Sequence, residues 1–155
     1  MIILIDSGVL GQLCNPNSTA KTIALNEWFY TQLIRGRALF TSELCNYEVR
    51  RSLCLHIEKG GKPDGLRELE RLRSEESIEF AAVNGEIVIL AASLWAKAQI
   101  EGKSTAPLHS LDIDLIICAT ALWLKQEYPG REVITVTTNV KHLSRFINAV
   151  EWSDV

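Results

Sequence analysis

Short apolar runs alternate with stretches of helical periodicity along this chain, and that alternation restricts its fold more than any other feature. IILI at positions 2–5 is apolar at every position, and a strand without polar alternation needs cover on both faces. Positions 38–41 and 133–137 are runs of the same kind, and 78–83 is a weaker fourth. The segments between them read as helices. Over 20–34, Leu25, Phe29 and Leu33 recur at four-residue spacing beside Trp28, and Gly36 is placed to end that helix. Ser42 opens a helix in which Cys45, Val49, Leu53 and Ile57 form one stripe, stopped by Gly60 and Gly61. A short polar helix over 63–74 carries Leu66, Leu69 and Leu72, and one over 86–101 aligns Leu90, Leu94 and Ala98 before Gly102. After a loop with Pro107, a very apolar helix runs to about Glu127, Pro129 and Gly130 turn the chain, and a short helix over 140–146 precedes the tail. Strands alternating with helices predict an α/β fold, a three-layer α/β/α sandwich around a mostly parallel central sheet.

At 155 residues and 47% hydrophobic, the chain fits a single domain over 1–155, and no repeat or Pro- or Ser-rich linker divides it. Cys14, Cys45, Cys54 and Cys118 lack C-x-x-C spacing. Three of them, Cys45, Cys54 and Cys118, fall in apolar patterns, so the expectation is free, reduced thiols in a cytoplasmic protein. The start of the chain carries no basic region followed by a long apolar run, so neither a signal peptide nor a membrane span is expected. The net charge of −3 excludes a broadly basic nucleic-acid surface. Any action on nucleic acid has to rest on local features.

The acids supply such features. Asp6 ends the first apolar run and precedes Ser7 and Gly8, where an aspartate also serves simply to cap a turn. Glu48 flanks the apolar stripe of its helix, with Arg50 and Arg51 next in sequence as ordinary ion-pair partners. Asp112 and Asp114 are expected in the first turn of the apolar helix, where the free amides favour negative charge. That account suits Asp112. Asp114 shares the inward face of Ile117 and Ala121, and an acid on a buried face needs a partner. In open parallel sheets ligands bind off the carboxyl ends of the strands, and Asp6 and Asn139 stand at two such ends. Like charges gathered there repel unless a cation joins them. Hard oxygen ligands suit Mg²⁺ or Mn²⁺. Zinc is disfavoured, because His56, His109 and His142 are scattered and lack ligand spacing with the cysteines.

Four stretches taken together resemble the PIN domain family. They are ILIDSGVL (3–10), TSELCNYEVRR (41–51), LDIDLIICATA (111–121) and TTNVKHL (137–143). Their order, and the length of the chain, resemble the VapC-type toxins of bacterial toxin–antitoxin pairs. The resemblance implies metal-dependent endoribonuclease cleavage, leaving a 5′-phosphate and a 3′-hydroxyl, restrained by a cognate antitoxin. It implies Asp6, Glu48 and Asp114 as the central acids, Asp112 as an additional metal ligand, and Asn139 at the fourth position, where many relatives carry Asp. Ser7, Arg50, Arg51, Thr137 and Lys141 are candidates for contacts to metal-bound water or to phosphate. A catalytically silent PIN-like module that binds RNA or protein is the alternative, motivated by Asn139 and the missing basic patch. The apolar faces of the 20–34 helix and of Leu66, Leu69 and Leu72 suggest a homodimer contact or a groove for an antitoxin helix.

Overall fold

The computed structural model describes residues 1–101 and 108–155. Gly102, the loop around Pro107 and the side chain of His109 lie outside the described residues. The elements in order are β1 (Ile2–Ile5), α1 (Ser7–Leu13), α2 (Ala20–Ile34), β2 (Ala38–Ser42), α3 (Glu43–Glu58) and α4 (Asp64–Ser74). There follow β3 (Glu79–Ala81), α5 (Gly85–Ile100), α6 (Leu108–Glu127), β4 (Val133–Val136), α7 (Val140–Leu143), β5 (Ala149–Val150) and a 3-10 turn at Trp152–Asp154. Among the described residues the sheet has five strands in the order β3-β2-β1-β4-β5. Every pairing is parallel.

Two readings from sequence change. The chain after Asp6 is helical over Ser7–Leu13, where only a turn was expected. The final helix stops at Leu143 and the tail adds β5. Both elements are too short to show a period in sequence. The free thiols are as expected, but Cys54 is exposed rather than part of an apolar core.

The strand order explains the layers. From β1 the chain steps outward through β2 to β3, then crosses back over to β4 and on to β5. Parallel crossovers are right-handed, so α1 to α4 cover one face and α5 to α7 the other. The four side chains of β1 have no exposed surface, which is why that strand tolerates no polar residue. Across one face Leu10, Leu13, Leu25, Phe29, Leu69 and Leu72 complete the core, and across the other Ile117, Ala121 and Leu124. Helix α6 is apolar almost all round because it lies between the sheet and α5, and a helix buried on two sides has no wide polar stripe. No described helix is long and apolar enough to cross a membrane.

Candidate active site

The sheet reverses its winding between β1 and β4, and both strands end at that point. Asp6 follows β1 directly, and its backbone N–H donates to the Val136 carbonyl at 3.0 Å. Its carboxylate is nearly buried, and both oxygens accept hydrogen bonds. Oδ1 caps α1, accepting from the Ser7 N–H at 2.7 Å and the Ser7 hydroxyl at 3.3 Å. Oδ2 accepts from the buried Thr137 hydroxyl at 2.6 Å, and that oxygen in turn accepts from the Asn139 N–H at 2.9 Å. Burial pushes the Asp6 carboxyl up, and the bonds from Thr137 and Ser7 pull against it.

Glu48 and Asp114 reach the same place from opposite faces of the sheet. Ser42 caps α3 through a bond from the Leu44 N–H at 3.2 Å, and Glu48 on the second turn of that helix is half-buried and lines the cleft. Asp114 comes from α6, half buried, with Ile117 and Ala121 buried along its own face. Its carboxyl is pushed up to about 6, first by burial and then by the charge of Asp6, with His142 opposing and Glu48 reinforcing. The expected first-turn position is corrected. Helix α6 already begins at Leu108 and carries no acid in its first turn, so neither Asp112 nor Asp114 caps it.

Asp6, Ser7, Glu48, Arg51, Asp114 and Asn139 line one open cleft of about 350 Å³. Thr137 joins through its bond to Asp6. The other candidates stand apart. Asp112 is exposed on the α5 side of α6, in a different and mainly apolar depression with Trp95 and Ile116. Arg50 is held by Glu70 at 2.5 Å and Asn46 at 3.4 Å. Lys141 is exposed and does not line the cleft.

Three contributors were not singled out in the sequence. His142 Nδ1 lies 3.8 Å from Asp114 Oδ2, although the histidines were read as scattered. Its only signal was its position three residues after Asn139. Thr138 lines the cleft, and Gly8 makes room for it. A Cβ on Gly8 would lie 2.3 Å from the Thr138 hydroxyl oxygen.

Three carboxylates faced by one arginine, Arg51, 3.6 Å from Glu48, form a set of hard oxygen donors whose mutual repulsion a divalent cation relieves. The donor chemistry therefore fits Mg²⁺ or Mn²⁺ at Asp6, Glu48 and Asp114. Among the described residues no three acidic, histidine or cysteine side chains already stand close enough to grip one ion.

No protein-family model matches this chain, and no curated protein matches it by sequence. Solved structures match over nearly its whole length. The structure of FitAcB from Neisseria gonorrhoeae superposes with a TM-score of 0.70 at 16% identity, covering 99% of each chain. VapBC-1 from nontypeable Haemophilus influenzae gives 0.66 at 16% identity over 99% of each chain. VapBC2 from Rickettsia felis, bound to a DNA fragment from the promoter, gives 0.63 at 14% identity over 97% of each. At such identity the likeness is one of fold, and the fold is PIN-like α/β.

Proposed function

We propose that this chain is a divalent-metal-dependent endoribonuclease acting as the toxin of a toxin–antitoxin pair. The observation that carries the reading is the convergence of Asp6, Glu48 and Asp114 on one cleft at the carboxyl edge of the parallel sheet. Bound there, Mg²⁺ or Mn²⁺ would polarise the scissile phosphate and supply a more acidic water. The chain's own residues orient the rest. Thr137 and Ser7 hold the Asp6 carboxylate at a fixed angle. Asn139 offers a neutral amide oxygen in place of a fourth negative charge, and Arg51 offers the cleft a cation for phosphate. The PIN-like fold shared with structures named VapBC supports the toxin reading and an antitoxin as partner.

The test is cleavage of RNA with Mg²⁺ or Mn²⁺. Asp6→Asn and Asp114→Asn are each expected to slow it at least about 100-fold, in line with the loss of an electrostatic element of a reaction centre. Cleavage that both variants leave intact would sink the assignment. A silent PIN-like module that binds RNA or protein remains the second reading. It is favoured by Asn139 and by the missing basic patch. Calorimetric titration with Mn²⁺ separates the two, because the enzyme takes up the ion in this cleft and a silent module does not.

Of the two apolar faces first expected to meet a second copy or an antitoxin helix, α2 keeps Ile23, Tyr30 and Ile34 exposed. Leu69 and Leu72 lie in the core, so that row is already used. Outward-facing apolar side chains do stand on α5, at Val88, Ile89, Trp95 and Ile100, beside a mainly apolar depression shared with Leu115 and Ile116 of α6. We assign the contact between two copies to this face.

A further inference from the structure

The cleft does not end at the acids. It opens into a second groove of about 360 Å³ between α1 and α3, and the two share Ser7, Gly8, Glu48 and Arg51. The chemistry changes along that line. Past Glu48 and Arg51 the lining is uncharged, with a floor of Gly11, Val49 and Leu53 and a rim that includes Gln12 and Ser52. Gly11 keeps the floor flat, since even a Cβ there would meet only Val49, at 3.7 Å.

Two side chains on this path are underused by the fold. Arg51 is 54% exposed and, among the described residues, has only the 3.6 Å pairing with Glu48 and a place 5.6 Å above the Tyr47 ring. Gln12 buries its side-chain oxygen with no hydrogen-bond partner. A buried unpaired acceptor costs stability and calls for an explanation. Trp28, Gln32, Gln99 and Thr135 also carry such atoms among the described residues, but none of them lines the cleft or the groove.

We propose that the α1–α3 groove is the subsite for the nucleotide next to the scissile phosphate of a single-stranded RNA, with Gln12 selecting the base. The inference rests on the nuclease reading. A strand crossing the acidic cleft has to leave it, and this groove is continuous with it. Arg51, at the junction, takes the phosphate between the two nucleotides. The flat face of a base lies on Gly11, Val49 and Leu53. The Gln12 amide turns outward, exchanging its partnerless position for a bond from an amino group on the base edge. Adenine, cytosine and guanine carry such a group and uracil does not. A partner helix fits the groove less well, since it needs a long apolar floor for anchors spaced over two turns, and among the described residues Val49 and Leu53 are the only apolar side chains on this one.

The experiment uses single-stranded RNA of random sequence, cut with Mn²⁺ present and sequenced at the product ends. The wild-type protein is expected to disfavour uracil about tenfold at one position beside the cut, and Gln12→Ala to erase that preference. In parallel, fluorescence anisotropy of the Asp6→Asn protein without metal is expected to show oligoadenylate bound more tightly than oligouridylate. Gly11→Leu, which fills the groove, is expected to weaken both binding and cleavage, with its unfolding midpoint checked alongside. Cleavage with a base preference that Gln12→Ala leaves unchanged overturns the subsite and leaves the nuclease standing. Cleavage unaffected by Gly11→Leu does the same and gives the groove to a protein segment or to nothing. A wild-type protein that cuts no RNA overturns the nuclease reading, and the subsite with it.

Discussion

Asp6 is a helix cap and a member of the acidic cleft at once, and its two oxygens divide the work. One accepts from Ser7 and the other from Thr137, so the capping expected of this residue is present and the same carboxylate still lines the cleft. Asp114 carries the electrostatic strain. With its carboxyl pushed up to about 6, above the usual carboxylate value near 3.9, the folded protein holds a proton that the unfolded chain has already released between about pH 4 and 6. Stability from this residue is therefore greatest below pH 4 and is lost as pH rises through about 6. Without metal, Asp114→Asn is expected to raise the unfolding midpoint at pH 7 and to leave it little changed at pH 4, as a thermal melt series would read. Added Mn²⁺ is expected to stabilise the unmodified protein more at pH 7.5 than at pH 5, where protons compete for the same oxygens. Gly8 belongs to this scale too. A methyl group there meets the Thr138 hydroxyl, so Gly8→Ala is expected to displace the loop after β4 and to cut RNA cleavage more than it lowers the melting temperature.

At the scale of elements, most helices and strands could be read from spacing because each buries a periodic face. Helix α2 has the bounds expected from Leu25 and Phe29, and α3 starts at the Ser42 cap. Helix α1 escaped because a seven-residue helix containing Gly8 and Gly11 shows less than two turns of pattern. Helix α6 starts earlier than its acids suggested, which takes Asp112 out of a capping position and puts Asp114 in the second turn, on the inward face already expected of it. Helix α4 raises a question of magnitude. Arg73 meets Glu43 at 2.6 Å and Arg50 meets Glu70, yet these pairs are at least one-third exposed on both sides, and such pairs contribute about 0–1 kcal/mol. Leu69 is wholly buried. Denaturant unfolding is expected to show Glu43→Ala costing less than about 1 kcal/mol and Leu69→Ala costing about 2–5 kcal/mol. Equal costs would mean that ion pairs, rather than leucines, hold α4 to the sheet.

At the scale of the whole molecule, the position of the cleft follows from strand order. The winding reverses between β1 and β4, so the ends of those two strands splay their connections to opposite faces and leave a crevice. Asp6 and Asn139 flank that crevice, while Glu48 and Asp114 enter from the helices on either side. The apolar face of α5 stays open on the surface. If it joins two copies, Trp95→Glu is expected to convert a dimer to a monomer in analytical ultracentrifugation. A wild-type protein that sediments as a monomer at tens of micromolar would remove that face as a dimer contact.

The sequence by itself determined the layered α/β architecture, because unbroken apolar runs have to be covered on both faces and periodic helices have to supply the cover. It also singled out Asp6, Glu48 and Asp114, because an acid at a strand end or on an apolar helix face is conspicuous in a linear pattern. It ranked Asp114 above Asp112 without placing either, and left Arg50 and Arg51 equal. Tertiary structure decided between them. Asp112 turns toward α5, Arg50 is taken by Glu70 on α4, and Thr137, His142 and Gly8 acquire roles through contacts that close only when β4 and α7 pack beside β1. Those contacts join residues up to 131 positions apart. Local periodicity records which face of an element is buried, but not which distant side chain it is buried against.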